Sequence, residues 1–289
     1  MFGWGGDFRY SRCLDCGSLR LLNVPEDLGK YYPQDYYAYQ VTRYKPMSGI
    51  AAAVKKLLCR HYYQSFNPLM TPLSLFFPKW LKWLPRALVR FDQPILDVGC
   101  GAGHTLAMLA HEGFTDLTGV DPFLQEDSDH EEYRLLKREL ADHQGSYELV
   151  YALHVFEHVR DPLEFLVHAR RLLTDSGTLL IAMPNPASLA FHLYKQFWFA
   201  LDAPRHLALY SPQAFEKMAS TVGLEVYRSY SDSTISQFVG SDQYLRGKTM
   251  SEFHGFRGPR HSLARLMTAA LNLTGYGDSR CYFLRKSQA

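Results

Sequence analysis

No run of 18 apolar residues occurs in the chain, so no bilayer-spanning helix is expected. No basic segment precedes a short apolar core, so no secretory leader is expected either. Cysteine is scarce. The five present, Cys13, Cys16, Cys59, Cys100 and Cys281, are odd in number and scattered, which argues against a disulfide framework and for reduced thiols in a cytoplasm. Charge is nearly balanced: a net +2 argues against a dedicated nucleic-acid binder, and no such partner is expected. Internal repeats and low-complexity segments are lacking as well. What remains is a composition of 47% hydrophobic and 21% charged residues over 289 positions, enough for one large domain or two small ones with a real core.

The small net charge hides an asymmetry. Residues 1–94 carry 13 Lys or Arg against 6 Asp or Glu, so the remainder is slightly acidic. Three segments follow from the pattern. Residues 1–46 are rich in tyrosine and contain Cys13-x-x-Cys16-Gly17. Structural zinc wants four ligands and no second C-x-x-C exists, so two free cysteines in a short hairpin are expected and no metal is assigned. Residues 47–91 read as an amphipathic helical linker or lid, broken at Pro68, Pro72, Pro78 and Pro85. Within it Trp80 and Trp83 alternate with Lys79, Lys82 and Arg86, a mixture that suits either peripheral contact with a membrane interface or a helix packed on the next domain.

From residue 92 to 289 apolar strands alternate with helical periods, the signature of a parallel sheet covered on both faces. Strands are expected at Pro94–Val98, Leu117–Val120, Tyr133–Arg138, Glu148–Leu153, Thr178–Met183 and Leu224–Ser229, with a last one at Cys281–Leu284. Helices are expected at Thr105–Glu112, Pro162–Leu173 and Pro212–Val222, and a turn at Thr174–Gly177.

The first strand runs into Asp97-Val-Gly99-Cys100-Gly101-Ala-Gly103-His104. A glycine turn between a strand and a helix suits an adenine cofactor, either a dinucleotide or S-adenosylmethionine. The dinucleotide fingerprint G-x-G-x-x-G puts its third glycine at the helix packing point, and here that position is His104. Asp121 closes the second strand 22 residues after Gly99, near the ~20 expected of a ribose-binding carboxylate. Its two acceptor oxygens suit a pair of hydroxyl donors.

The stretch L-D-V-G-C-G-A-G-H resembles the first motif of class I S-adenosylmethionine-dependent methyltransferases. The resemblance implies a Rossmann-like fold with a mostly parallel seven-stranded sheet, helices on both faces and an N-terminal aromatic and helical extension. It implies S-adenosylmethionine as cofactor, held by Asp97, Gly99, Cys100, Gly101, Gly103, Asp121, Pro122, Leu153 and His154. The acidic partner for the adenine is Glu139, with Asp142 as the alternative.

The stretches D-A-P-R-H-L-x-L-Y-S at Asp202–Ser211 and S-D-S-T-x-x-Q-F-x-G-S-D-Q-Y at Ser231–Tyr244 resemble a narrower bacterial group associated with surface polysaccharide synthesis. That likeness implies a sugar-like small-molecule acceptor, free or linked to a nucleotide or lipid. Relatives of this kind carry a C-x-x-C upstream of Cys13, so the start of the chain is either shortened or internal.

Catalytic roles are expected of His206, then His154, with Asp202 orienting a histidine. Acceptor contacts are expected from His158, Arg205 and Trp198, with Arg205 a candidate for holding a phosphate. O- and C-methylation both remain open at this stage. So do a non-catalytic cofactor-binding or membrane-docking module and, less favoured because of His104, a nicotinamide oxidoreductase.

Overall fold

The computed structural model describes residues 6–32, 49–63, 83–249 and 258–288. In chain order its strands are β1 Tyr10–Arg12, β2 Leu19–Leu21, β3 Ile95–Val98, β4 Leu117–Val120, β5 Ser128–Asp129, β6 Arg134–Leu136, β7 Tyr147–Leu153, β8 Leu173–Pro184, β9 Ala208–Leu209, β10 Leu224–Ser231 and β11 Ser279–Lys286. Its helices are α1 Gly49–Tyr63, α2 Leu84–Ala87, α3 His104–Glu112, α4 Pro162–Arg171, α5 Leu189–Tyr194, α6 Pro212–Thr221, α7 Ser236–Leu245 and α8 Pro259–Thr274.

The main sheet has eight strands in the order β10-β11-β8-β7-β3-β4-β6-β5, where seven were expected. The extra one is β5, two residues paired antiparallel to the edge strand β6. Strands β6, β4, β3, β7 and β8 are mutually parallel, and β11 is inserted antiparallel between β8 and β10. This is the Rossmann-like arrangement of class I methyltransferases. Both faces are buried, so the strands read as apolar runs rather than as alternation. Successive residues of β7 go to opposite faces: Leu149 and Tyr151 join one core with Ile95 and Phe283, while Val150 and Ala152 join the other with Leu96 and Leu179.

Local chemistry fixes several ends. Asp161 caps α4 by accepting from Glu164 N–H at 3.0 Å, with Pro162 in the first turn where no N–H is needed. Ser211 and Ser188 cap α6 and α5 in the same way. The expected turn at Thr174–Gly177 falls within the span of β8, near its start, as an irregularity in the pairing with β7. The pairing jumps there from Tyr147↔Leu173 to Leu149↔Thr178, so these four residues bulge out of the ladder as a turn would, and the Thr174 and Ser176 hydroxyls both donate to the Glu148 carboxylate on the neighbouring strand, at 2.8 and 2.9 Å.

The segment before the sheet is built into the fold. Helix α1 packs on α3, and Tyr63 Oη donates to the buried Glu112 carboxylate at 3.0 Å. Trp83 does not face a membrane interface. It is buried, its ring centroid 5.1 Å from that of Tyr151, within the core beneath β3 and β7. Trp80 lies outside the described residues. The cysteine pair sits in the expected hairpin: β1 and β2 pair antiparallel, and Gly17 N–H donates to Cys13 O at 2.9 Å across the turn. Strand β2 also pairs with β9, which ties this hairpin to residues nearly 190 positions away. Among the described residues no helix is long and apolar enough to cross a membrane.

Truncating Trp83 leaves a cavity against Tyr151 and Leu84. The Trp83→Ala variant is expected to lose about 3–5 kcal/mol of stability in denaturant unfolding, as large aromatics in cores do. Leu273→Ala, at an 89% exposed position, is expected to change it by less than about 0.5 kcal/mol.

Candidate active site

Going outward from β3, the chain proceeds through β4 and β6 on one side; from β7 it proceeds through β8 on the other. The crevice at the carboxyl ends of β3 and β7 is therefore the switch point where open α/β sheets bind ligands. The glycine turn after β3 forms one wall. Gly99, Gly101 and Gly103 all have positive φ, at +73°, +51° and +75°, which side chains disfavour. Space is closed to them too. A Cβ on Gly99 would stand 2.5 Å from the Val155 side chain, and one on Gly103 would stand 2.9 Å from Leu135.

Asp121 organises this turn. Its carboxylate accepts from Gly101 N–H at 2.9 Å and from Phe123 N–H at 2.8 Å. Asp97 is buried on β3 beside Tyr151 of β7. Burial raises both carboxyls above their ordinary range, and for Asp97 the nearby Asp121 pushes the same way while Tyr151 opposes. Two buried, acceptor-only groups beside a backbone without side chains fit a ligand that brings hydroxyl donors and positive charge. S-adenosylmethionine carries both, and it is the cofactor of the family whose match is given below. Cys100 contributes a buried thiol to this wall, Pro122 and Leu153 are half-buried at its rim, and Glu139 and Asp142 are both exposed beyond β6. The sequence reading did not mark Phe123, which is 69% exposed at the end of β4 with its ring stacked on Tyr32 at 6.4 Å.

The opposite wall follows β7. His154 has φ +57°, an uncommon conformation that turns its side chain to the mouth, where it is 53% exposed. One turn of 3-10 helix, Phe156–His158, then carries Glu157 inward. Glu157 is the residue that the sequence reading missed. It is 1% exposed, and neither carboxylate oxygen has a hydrogen-bond partner. His154 Nδ1 lies 3.4 Å from its Oε1 and His206 Nε2 lies 3.8 Å from the same oxygen. Burial works to raise the Glu157 carboxyl, but the neighbouring imidazoles outweigh it and hold the group at about 2. Burial alone would lower His154, and its Glu157 neighbour reverses that and raises it.

The loop before β9 closes over this acid. His206, expected as the first base, is buried and its Nδ1–H donates to Ala200 O at 2.8 Å. Burial and then His158 push its pKa down to about 3, so the ring is neutral. His158 is half-buried, with Nδ1–H donating to Arg205 O at 2.9 Å and its ring 4.7 Å from that of His206. Asp202, at φ +38°, pairs with Arg205 rather than orienting a histidine; its Oδ2 is 3.8 Å from His206 Nε2. Two expectations are corrected here. Arg205 is 3% exposed and spent on Asp202, so it offers no surface to a phosphate. Trp198 does not line the acceptor side: it is 1% exposed, in a satellite core with Leu19 and Leu209, its indole N–H donating to Asp278 Oδ2 at 3.2 Å.

Comparison with known proteins fits this geometry. A family model described as a methyltransferase domain matches residues 73–229. The ubiquinone biosynthesis O-methyltransferase of Caulobacter sp. (strain K31) is 32% identical over 148 residues, 43% of this chain and 58% of that protein. The tRNA U34 carboxymethyltransferase of Shewanella sediminis (strain HAW-EB3) is 28% identical over 121 residues, 36% of this chain and 35% of that protein. The chain thus spans little more than half the length of the first relative and about a third of the second. A solved mycolic acid cyclopropane synthase, CmaA1, complexed with SAH and CTAB, superposes with a TM-score of 0.45 at 19% identity, covering 68% of this chain and 78% of that one.

Exchanging the Asp121 carboxylate for an amide removes a charged acceptor while keeping its shape. Asp121→Asn is expected to weaken S-adenosylhomocysteine binding by about 10- to 100-fold in calorimetric titration, the worth of a charge-assisted hydrogen bond, with the circular dichroism spectrum unchanged. Wild-type affinity in the variant would remove Asp121 from the cofactor site.

Proposed function

We propose, from the premise that this chain belongs to the methyltransferase domain family, that it transfers a methyl group to a hydroxyl of a small acceptor, with His154 as general base. The observation that carries the proposal is the half-exposed His154 imidazole at the crevice mouth, one residue beyond β7 and beside the residue that packs on Gly99. When bound, S-adenosylmethionine supplies an electrophilic methyl group on a sulfonium whose departing thioether is neutral. The chain's own work is to hold and to deprotonate. Asp121 and Asp97 accept from the cofactor's donors, and the glycine backbone lets it approach. His154 takes the proton of the acceptor hydroxyl, a contribution typically worth about 10²–10⁴ in rate. Glu157 stands behind that imidazole and favours its charged form once the proton has arrived. Alignment of hydroxyl and methyl group supplies much of the remaining acceleration.

For the acceptor, the likeness of Asp202–Ser211 and Ser231–Tyr244 to the surface-polysaccharide group supports a sugar ring, free or carried by a nucleotide or lipid. Similarity to ubiquinone biosynthesis O-methyltransferases such as the Caulobacter protein supports a second reading, a ring hydroxyl of a ubiquinone-type acceptor. The exposed Phe123 ring stacked on Tyr32 offers a flat face that suits either.

The test is S-adenosylhomocysteine release with mass analysis of the acceptor, on nucleotide sugars and simple catechols in parallel. One class is expected to be methylated on oxygen, and His154→Gln is expected to lower kcat by about 10²–10⁴ while leaving S-adenosylhomocysteine affinity within about threefold. A variant that turns over at the wild-type rate would remove His154 as the base. A chain that binds S-adenosylhomocysteine and methylates neither class would favour the binding-module reading.

A further inference from the structure

The loop over Glu157 completes a cluster of three groups that can ligate a metal, one carboxylate and two imidazoles. One ligand atom each from Glu157, His158 and His206 lies within 4.8 Å of the other two. Backbone carbonyls, which can only accept, set the tautomers: His206 Nδ1–H donates to Ala200 O, and His158 Nδ1–H donates to Arg205 O at 2.9 Å, with the Tyr32 hydroxyl oxygen at 3.1 Å as a second acceptor of the same proton. In each neutral ring the proton is therefore on Nδ1 and the lone pair on Nε2. Histidines that bind metals are held in this way, with the second nitrogen donating to a carbonyl or carboxylate. The Nε2 lone pair of His206 faces Glu157 Oε1 at 3.8 Å. Lone pair opposes lone pair, and both oxygens of that 1% exposed carboxylate lack a hydrogen-bond partner. A buried anion in this state needs a positive partner. His154 Nδ1 also lies 3.4 Å from Oε1, without hydrogen-bond alignment, and His158 faces the same carboxylate.

We propose that Glu157, His158 and His206 form a binding site for a divalent transition-metal ion of the zinc class. Two imidazole nitrogens and one carboxylate oxygen are a donor set for Zn²⁺ or Co²⁺ rather than for Mg²⁺, which prefers oxygen alone. Bonds of about 2.0–2.2 Å put neighbouring donors roughly 3–3.5 Å apart, so the three must draw together by about an ångström. Three protein ligands leave coordination positions open, as in catalytic rather than structural sites. Binding of the ion needs nothing from the methyl-transfer reading. Its use does rest on that reading: an acceptor hydroxyl that reaches an open position beside His154 becomes more acidic.

The experiment reads the ion alone. The full chain carrying Cys13→Ser and Cys16→Ser, which removes the thiol pair as a rival site, is stripped with a chelator and titrated with Co²⁺ and Zn²⁺, without acceptor. One equivalent is expected to bind, and Glu157→Gln and His206→Gln are each expected to weaken it by roughly 100-fold or more. S-adenosylhomocysteine titration of the same preparations reports folding and the cofactor site separately, so that failure of the methyltransferase reading shows there and not in the metal titration. Should either variant unfold, the Cu²⁺-loaded parent protein answers without it: nitrogen couplings from two imidazoles in its electron paramagnetic resonance spectrum support the site. Absence of stoichiometric binding, binding that survives both substitutions in folded protein, or a spectrum with fewer than two imidazoles would overturn it.

Discussion

Strand β3 lies between β4 and β7, hydrogen-bonded in parallel to both, and its far end is where the two halves of the sheet diverge. The register Asp97↔Gly119 and Asp97↔Tyr151 brings three chain segments level at that edge. The turn after β3, the acid after β4 and the histidine after β7 thereby become neighbours, although up to 57 residues separate Asp97 from His154. Close packing does the rest. Gly99 has no side chain because Val155 occupies its space, so the cofactor wall and the catalytic wall are fitted to each other through one contact.

The two walls differ in electrostatic character. On the cofactor side, burial raises the cost of ionising Asp97 and Asp121, Asp121 adds to that cost at Asp97, and the backbone N–H groups of Gly101 and Phe123 offset it at Asp121. On the acceptor side, one buried carboxylate faces three imidazoles, two of which have their Nδ1 protons committed to carbonyls. The first arrangement calls for donors and a cation from the ligand. The second concentrates basic lone pairs around a single buried acid. The charge layout thus suits the division between holding a methyl donor and removing a proton that the proposed function requires.

Much of the sheet was legible because β3, β4, β7 and β8 are apolar runs between turn residues, and the glycine turn and Asp121 declared the cofactor edge through their spacing together with the likeness of L-D-V-G-C-G-A-G-H to a known first motif. Helices α7 and α8 were not read. Nearly every residue on one stretch of α7, Gln237 to Ser241, is buried, so it shows no amphipathic period. Helix α8 did carry punctuation, Pro259 in its first turn and Gly275 at φ +80° after its last, but its exposed Leu263, Leu266 and Leu273 blur the apolar stripe. Glu157 was hidden for another reason. In sequence it is an acid in a short polar turn, the commonest of surface features; its burial comes from a loop some fifty residues later that folds over it. Trp198 and Arg205 failed the same way, since loop polarity and aromaticity do not say which side faces the crevice. The satellite core that takes Trp198 contains Leu19, from a hairpin at the other end of the chain.

That hairpin gives the acceptor wall a foundation of its own. Strand β2 pairs with β9, Tyr10 Oη donates to His206 O at 2.6 Å, and Ser18 Oγ accepts from Ser211 N–H at 3.0 Å. The cofactor turn rests on the eight-stranded sheet, whereas the loop bearing His206 is clamped by a second, three-stranded sheet that begins near the start of the chain. Two scaffolds meeting at one crevice divide the evolutionary labour. A change in the small sheet can therefore shift the loop bearing His206 while the glycine turn and Asp121 keep their places on the large one.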